Sequence, residues 1–401
     1  MAATAARRSI APCEGEIVSA AELPGFQTQL RGWFAGAKRD LDWRRTRDPY
    51  CVWISEIMLQ QTRVAAVLPY YRRFLARFPT IEALARARVD AVLRSWAGLG
   101  YYSRARNLHR AAKEIVTRHG GEFPRRIEDA LALPGIGQYT AAAVLSIAYG
   151  EPHAVLDVNV ARVLARLGAI RGDLRRPRKW RELAAAATAL LPADPSPDTG
   201  APMTRAGEWN QAMMELGATV CTPRAPRCDA CPVARWCRGH ALGIALRLPA
   251  PRRKAQPVRL ALSAAILLDP RGRTLVLRQE SRHSGLFSSL WHFPAVQFAR
   301  PAPEKLSRYL KSAFGVTSEL EPLRRARHTV TFRRIVLAPF LARVAKLPTI
   351  QGTRTPRLAE IERLPISSAT KKIAAAARAA LAREDSSTAS AGPPPQRARL
   401  V

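Results

Sequence analysis

Leu131 to Asp157, LALPGIGQYTAAAVLSIAYGEPHAVLD, is the stretch whose reading decides the fold. It reads as the end of one helix, a tight turn at Pro134-Gly135-Ile136-Gly137, a second helix from about Tyr139 to Tyr149, and a loop that delivers an acid. The two glycines let the backbone double back, and the amides of the turn and of the first helical residues have no intrahelical partners. Such donors can seat phosphate oxygens, although a Pro-Gly turn is equally a plain connection between helices. Asp157 tips the balance. It stands with Asn159 inside an otherwise apolar run, Val155-Leu156-Asp157-Val158-Asn159-Val160, where a buried carboxylate is costly unless a cation or a hydrogen-bond donor uses it.

Working outward, 401 residues with 47% apolar content allow two or three domains with real cores. Lys and Arg outnumber Asp and Glu by 64 to 31, a net charge of +33. That excess points to a polyanionic partner, most simply nucleic acid, bound in a salt-dependent way. No apolar run is long enough to span a membrane, and the opening residues lack the apolar core of a secretory signal, so a soluble intracellular protein is expected.

Upstream of the turn, residues 1–22 read as a loose tail. Asp48-Pro49 is a good helix opening, with Asp as cap and Pro in the first turn. The helix it opens carries one acid, Glu56, among Trp53, Ile54, Ile57, Met58 and Leu59. Glu56 lies either on a polar stripe or in a desolvated place with a raised pKa, ready to give a proton. Gln60-Gln61-Thr62 marks a bend, and helical segments follow from about Arg63 to Arg77 and from Ile81 to Trp96. In the segment Gly98 to Asn107, Tyr101 and Tyr102 interleave with glycines, Arg104 and Arg106. Rings at such a turn can stack on bases while guanidiniums hold phosphate, or they can simply pack on the core. A helix from about Asn107 to His119 leads back to the opening turn.

Downstream, Cys221, Cys228, Cys231 and Cys237 follow a C-x6-C-x2-C-x5-C spacing. Four thiolates in so short a segment suit a metal centre, and ligand count alone does not choose between a structural zinc and a [4Fe–4S] cluster. Cys13 and Cys51 have no obvious partners. Residues 241–258 turn to Pro, Arg and Lys and read as a linker. Beyond it the period changes to strands around a turn at Asp269-Pro270-Arg271-Gly272, then a loop through Ser284 to Phe287. A helix near Pro303 to Phe314, strands around Val330 and from Ile335 to Val344, and a last helix from about Ser367 to Leu381 complete the pattern.

Together WISEIMLQQT, GLGYYSRARNLH, LPGIGQYTA, DVNVARVLARLG, NQAMMELG and the cysteine loop resemble the MutY-type adenine glycosylases of the helix-hairpin-helix superfamily, over roughly residues 26–381. The resemblance implies a multidomain fold. An all-α helix-hairpin-helix glycosylase domain, 23–240 with an iron-sulfur loop at 221–237, precedes the linker, an α+β Nudix-like lesion-recognition domain at 259–384 and a disordered tail at 385–401. It implies a [4Fe–4S] cluster on the four cysteines, because the spacing matches at every one. It also implies a monomeric enzyme of base excision repair in the bacterial cytoplasm, associated with nucleoid DNA. Its substrate would be double-stranded DNA containing adenine opposite 8-oxoguanine or guanine.

The same resemblance assigns roles. Glu56 would be the general acid and Asp157 the group that stabilises or captures the oxocarbenium sugar, with Tyr139 touching the acid and Asn159 orienting the reacting groups. Endonuclease III has a nucleophilic Lys where this chain has Tyr139. A phenol forms no Schiff base, so a monofunctional glycosylase is expected. Gln61, Tyr101 and Arg104 would meet the duplex as adenine leaves it, and Gly135 and Gly137 would hold the adjacent phosphate. Two departures stand out. Val158 replaces the family's glycine in Asp-Gly-Asn, and Val330-Thr331-Phe332 replace Phe-Ser-His in the loop that reads 8-oxoguanine, so a weaker preference for that lesion is expected. The metal box of true Nudix hydrolases is missing. Two alternatives remain on sequence: a helix-hairpin-helix glycosylase for another base, or a non-catalytic iron-sulfur protein that binds DNA.

Overall fold

The computed structural model describes residues 16–192, 205–250, 256–278, 290–330 and 332–390. The chain forms two compact units, one made of residues up to Arg86 with Ser103–Arg253, the other of Ala87–Tyr102 with everything from Lys254.

The first unit is helical. Its first four helices are α1 (Leu23–Ala37), α2 (Pro49–Leu59), α3 (Val64–Arg77) and α4 (Ile81–Arg86); α5 (Val89–Ser95) belongs to the second unit. It continues with α6 (Ser103–His119), α7 (Ile127–Ala132), α8 (Gln138–Val144), α9 (Val158–Leu167), α10 (Pro177–Ala189), α11 (Arg205–Thr219) and the short α12 (Arg238–Ala241). The pair α7 and α8 flanks the Pro-Gly turn. α8 widens into a π-helical turn at Leu145–Tyr149 and stops at Gly150, whose φ is 80°. Three expectations are corrected. The segment Ile81 to Trp96 is two helices, because Arg88 leaves the helical region at ψ 137°. The ordered chain begins before Leu23, since Ile17 and Val18 are buried. The last helix, α14 (Ser368–Ser390), runs past Leu381 into residues expected to be a tail.

α2 positions the site, and both of its ends are held. At its start Asp48 accepts from the Tyr50 amide at 2.8 Å with Pro49 in the first turn. At its end Arg104, buried on α6, donates to the carbonyls of Ile57, Met58 and Gln60 at 2.8, 2.9 and 2.6 Å. These are the acceptors a helix C-terminus leaves without partners, and a cation there also opposes the helix dipole. Arg104, expected on DNA, is therefore a corrected assignment: its guanidinium is a buried helix cap.

A buried ion cluster ties α11 to the segment before α2. Glu215 is fully buried and takes two bonds from the Arg39 guanidinium, at 2.7 and 2.8 Å, and one from Arg44 at 2.7 Å. Burial alone would raise this carboxyl, but the hydrogen bonds and charges of Arg39 and Arg44 outweigh it and hold it at about 2. Because the folded value lies below the unfolded one, the contribution is present above about pH 4.5 and is lost as pH falls toward 2. Glu215→Gln is expected to remove about 3 kcal/mol of stability by leaving Arg44 unpaired, the low end of the range for buried pairs because Arg39 reaches solvent. Urea unfolding at pH 7 and pH 3 checks this: the gap between the two proteins should narrow at the lower pH, and equal stability at pH 7 would contradict the assignment.

In the second unit, β1 (Val258–Leu268) lies between β3 (Ala295–Phe298), which is antiparallel, and β6 (Arg333–Arg343), which is parallel to it. β4 (Glu321–Pro322) and β5 (Ala326–Val330) also pair with β6, while β2 (Val276–Leu277) and β7 (Thr353–Arg354) form a separate ribbon. β1 and β6 are apolar along most of their length because both sheet faces are covered. Leu262, Ile266, Leu337 and Leu341 pack with Ile373, Ala374 and Ala377 of α14. On the other face Ala265, Leu267 and Phe340 pack with Leu306 and Leu310 of α13 (Pro303–Phe314). The expected turn is present: Asp269 accepts from the amides of Arg271 and Arg273 at 3.0 and 2.8 Å, and Gly272 takes φ 69°. The loop through Ser284 to Phe287 lies outside the described residues.

Candidate active site

Glu56, Tyr139, Asp157, Asn159, Gln61 and Met214 line one cavity of about 690 Å³ in the first unit. Among the helices that meet there, α11 brings Met214. α2 brings Glu56 from its buried face, α8 brings Tyr139 one residue after its start, and α9 brings Asp157 as its cap.

Glu56 is 5% exposed. Its carboxyl is pushed up to about 7, first by burial and also by the negative charge of Asp157, against the Tyr139 hydrogen bond and the Arg44 charge. The Tyr139 hydroxyl donates to Glu56 Oε2 at 2.7 Å and lies 3.2 Å from Met214 Sδ. Burial and the neighbouring carboxylates keep the phenol itself far from ionising. Of the two placements that the sequence leaves open for Glu56, the structure has the desolvated one.

Asp157 sits in the opposite setting. Its Oδ1 accepts from the amides of Asn159 and Val160 at 2.9 and 2.7 Å, and its Oδ2 accepts from Asn159 Nδ2 at 2.7 Å. These three donors fix the direction of the carboxylate at the start of α9. Val158 opens α9 in ordinary helical conformation, so a β-branched residue in the glycine's place causes no strain. Asn159 is braced in turn by Arg162, whose guanidinium reaches Asn159 Oδ1 at 3.0 Å, Gly217 O at 2.8 Å and Cys221 O at 2.9 Å.

In the Pro-Gly turn, Gly135 has φ +79°, and a Cβ there would lie 2.7 Å from Asn107 Cβ, so no other residue fits. Gly137 meets nothing within 4 Å and has an extended φ of −105°, so neither packing nor backbone demands glycine there. Gln61 and Tyr101 are both exposed and both left-handed, at φ 56° and 46°. Side-chain-bearing residues hold that conformation at a cost of roughly 1–3 kcal/mol, and such strain clusters at working sites.

The four cysteines line one cavity with Arg166. Arg166 donates to Cys221 Sγ at 3.3 Å and to Thr222 O at 2.7 Å, and the Cys237 thiol bonds the Arg166 carbonyl at 3.3 Å. Burial pushes the Cys231 thiol up to about 11, and the nearby Cys221, Cys237 and Cys228 add to that rise. Among the described residues, no three His, Cys, Asp or Glu side chains are grouped to hold a single ion.

In the second unit, β5 and β6 pair up to Val330 opposite Arg333, which puts Val330 and Phe332 at the tip of that pairing. Val330 is half-buried, and Phe332 is 45% exposed with the Arg333 guanidinium 5.5 Å from its ring centre. Thr331 lies outside the described residues. Sequence reasoning missed Met214 and the Glu215 cluster; the only signal for either was the unusual polarity within WNQAMMELG.

Residues 54–188 match the model of the HhH-GPD superfamily of base excision DNA repair proteins, which defines the class. Over 411 residues the chain is 34% identical to the adenine DNA glycosylase of Rattus norvegicus, covering 88% of this chain and 78% of that protein. It is 44% identical over 216 residues to the adenine DNA glycosylase of Mycolicibacterium smegmatis, covering 54% of this chain and 69% of that one. With the Homo sapiens adenine DNA glycosylase it shares 45% identity over 229 residues, 55% of this chain but 40% of the human protein. The chain belongs to the adenine DNA glycosylases. Among the described residues, no helix is long and apolar enough to cross a membrane.

Proposed function

We propose that this protein is a monofunctional glycosylase that excises adenine paired with 8-oxoguanine or guanine in duplex DNA. The observation that carries the reading is the unequal carboxylate pair in one cavity: Glu56 buried and held near 7, Asp157 at a helix start among three donors. Two acids whose environments differ in this way divide the work of acid and anion.

The target nucleotide leaves the stack to reach the cavity. Glu56, about half protonated at neutral pH, gives its proton to adenine N7 and makes the base a leaving group; the resulting carboxylate then helps activate water. Asp157, acting as the carboxylate, stabilises the oxocarbenium or captures it. Asn159 and Arg162 fix its direction. Tyr139 cannot form a Schiff base, so no β-elimination follows and the abasic strand stays intact. Gln61 and Tyr101 enter the duplex as adenine departs, which accounts for two strained, exposed side chains, and the open turn at Gly137 accepts the neighbouring phosphate.

The cavity lined by all four cysteines suits a [4Fe–4S] cluster, which takes four thiolates. Cys221, Cys228, Cys231 and Cys237 would hold it. When bound, the cluster would tie the cysteine loop together through residues that include Cys221, whose carbonyl receives Arg162, and would take no part in bond cleavage. The protein acts as a monomer on DNA, and the second unit reads the base opposite adenine through Val330 and Phe332 at the tip of the β5–β6 pairing, without hydrolysing nucleotides.

At that tip Val330 lacks the aromatic ring and Phe332 the imidazole that the family uses to read 8-oxoguanine. Single-turnover excision is therefore expected at comparable rates on adenine opposite 8-oxoguanine and opposite guanine. A preference of several hundredfold would contradict this account of the tip.

A further inference from the structure

The phenol of Tyr139 has one proton and two acceptors, Glu56 Oε2 at 2.7 Å and Met214 Sδ at 3.2 Å. Only one of them can take the proton at a time. Which one does follows from the charge on Glu56. An ionised carboxylate is the stronger acceptor, and the phenol then donates to it. When Glu56 carries a proton on Oε2, the bond reverses: the acid donates to the phenol oxygen, and the phenolic proton turns to the sulfur. A thioether is a weak acceptor, but it leaves neither hydroxyl proton without a partner beside the buried acid.

We propose that Met214 is a positioning residue that stabilises the protonated form of Glu56 through Tyr139, by accepting the phenolic proton whenever the acid holds its own. This deepens the reading of Glu56 as the general acid and rests on it. Two charged groups also face Glu56: Asp157 at the start of α9, which favours the protonated acid, and Arg44 ahead of α2, which opposes it. Neither effect involves the sulfur, so both persist when residue 214 changes.

Met214→Leu keeps an apolar side chain of similar volume and removes the acceptor. Two readouts are expected to move down together by about half a unit, the worth of one weak hydrogen bond. One is the alkaline limb of adenine release at subsaturating duplex, which reports the free enzyme. The other is the titration of the Glu56 carboxyl stretch, identified in infrared difference spectra against Glu56→Gln, which needs no turnover. In a Tyr139→Phe background the same substitution is expected to move neither. An unshifted titration in Met214→Leu, or an equal shift in the Tyr139→Phe background, would overturn the proposal. Should Met214→Leu fail to fold, norleucine at 214 exchanges only sulfur for methylene and carries the same expectation. If the unsubstituted protein released no adenine, the functional reading would fall, while the infrared titration would still decide the role of Met214.

Discussion

Glu56→Gln is expected to slow adenine release by about a thousandfold or more, and to remove the alkaline limb of the pH profile. The amide fills the same buried volume and still accepts from Tyr139, so the fold and the cavity remain while the transferable proton is lost. In the unsubstituted protein, release should be level below about pH 7 and fall as pH rises above it, since the acid gives up its proton near 7. The sign follows from the role: an acid that must be protonated loses activity on its alkaline side. A carboxyl at the ordinary value near 4.5 would leave one molecule in several hundred competent at pH 7, and burial on α2 removes that handicap. Single-turnover rates from pH 5 to 9 check both parts. A Gln variant within tenfold of the unsubstituted rate, or a profile flat to pH 9, would exclude Glu56 as the acid.

Asp157→Asn separates charge from structure at the other carboxylate. Asn is as good a helix cap as Asp, so α9 should start unchanged and the melting temperature should barely move. The anion facing the sugar is lost, however, and release is expected to drop by about a hundredfold to a thousandfold, the range for removing one preorganised electrostatic group. The pair is coupled, because the charge of Asp157 helps to raise the Glu56 carboxyl. The residual activity should therefore show its alkaline limb at lower pH than the unsubstituted protein. A limb that stays in place while the rate falls would mean that the two carboxylates do not sense each other.

Local rules made much of this legible. The Asp48-Pro49 start of α2 and the turn around Gly135 depend on neighbours in the chain, and each is where spacing and residue type put it. Glu56 is instructive because spacing allowed either a solvated stripe or a buried acid. Only the packing of α2 against the helices around it, which no local pattern encodes, distinguishes them. Arg104 shows the same limit from the other side. An Arg next to tyrosines at a flexible turn suits phosphate, yet the C-terminal carbonyls of α2, more than forty residues away in sequence, claim it. The break between α4 and α5 involves no Gly or Pro, so nothing local announced it. Glu215 sits on a helix whose pattern reads as core, and its partners Arg39 and Arg44 lie over 170 residues earlier.

The proposed activity stands or falls on one measurement: free adenine released from a duplex with adenine opposite 8-oxoguanine, with the strands examined before and after alkali. It predicts adenine release by the unsubstituted protein, strand scission only after alkali, and neither from Glu56→Gln nor from Asp157→Asn over the same interval. Scission without alkali, or no adenine from folded protein that binds the duplex, would contradict it.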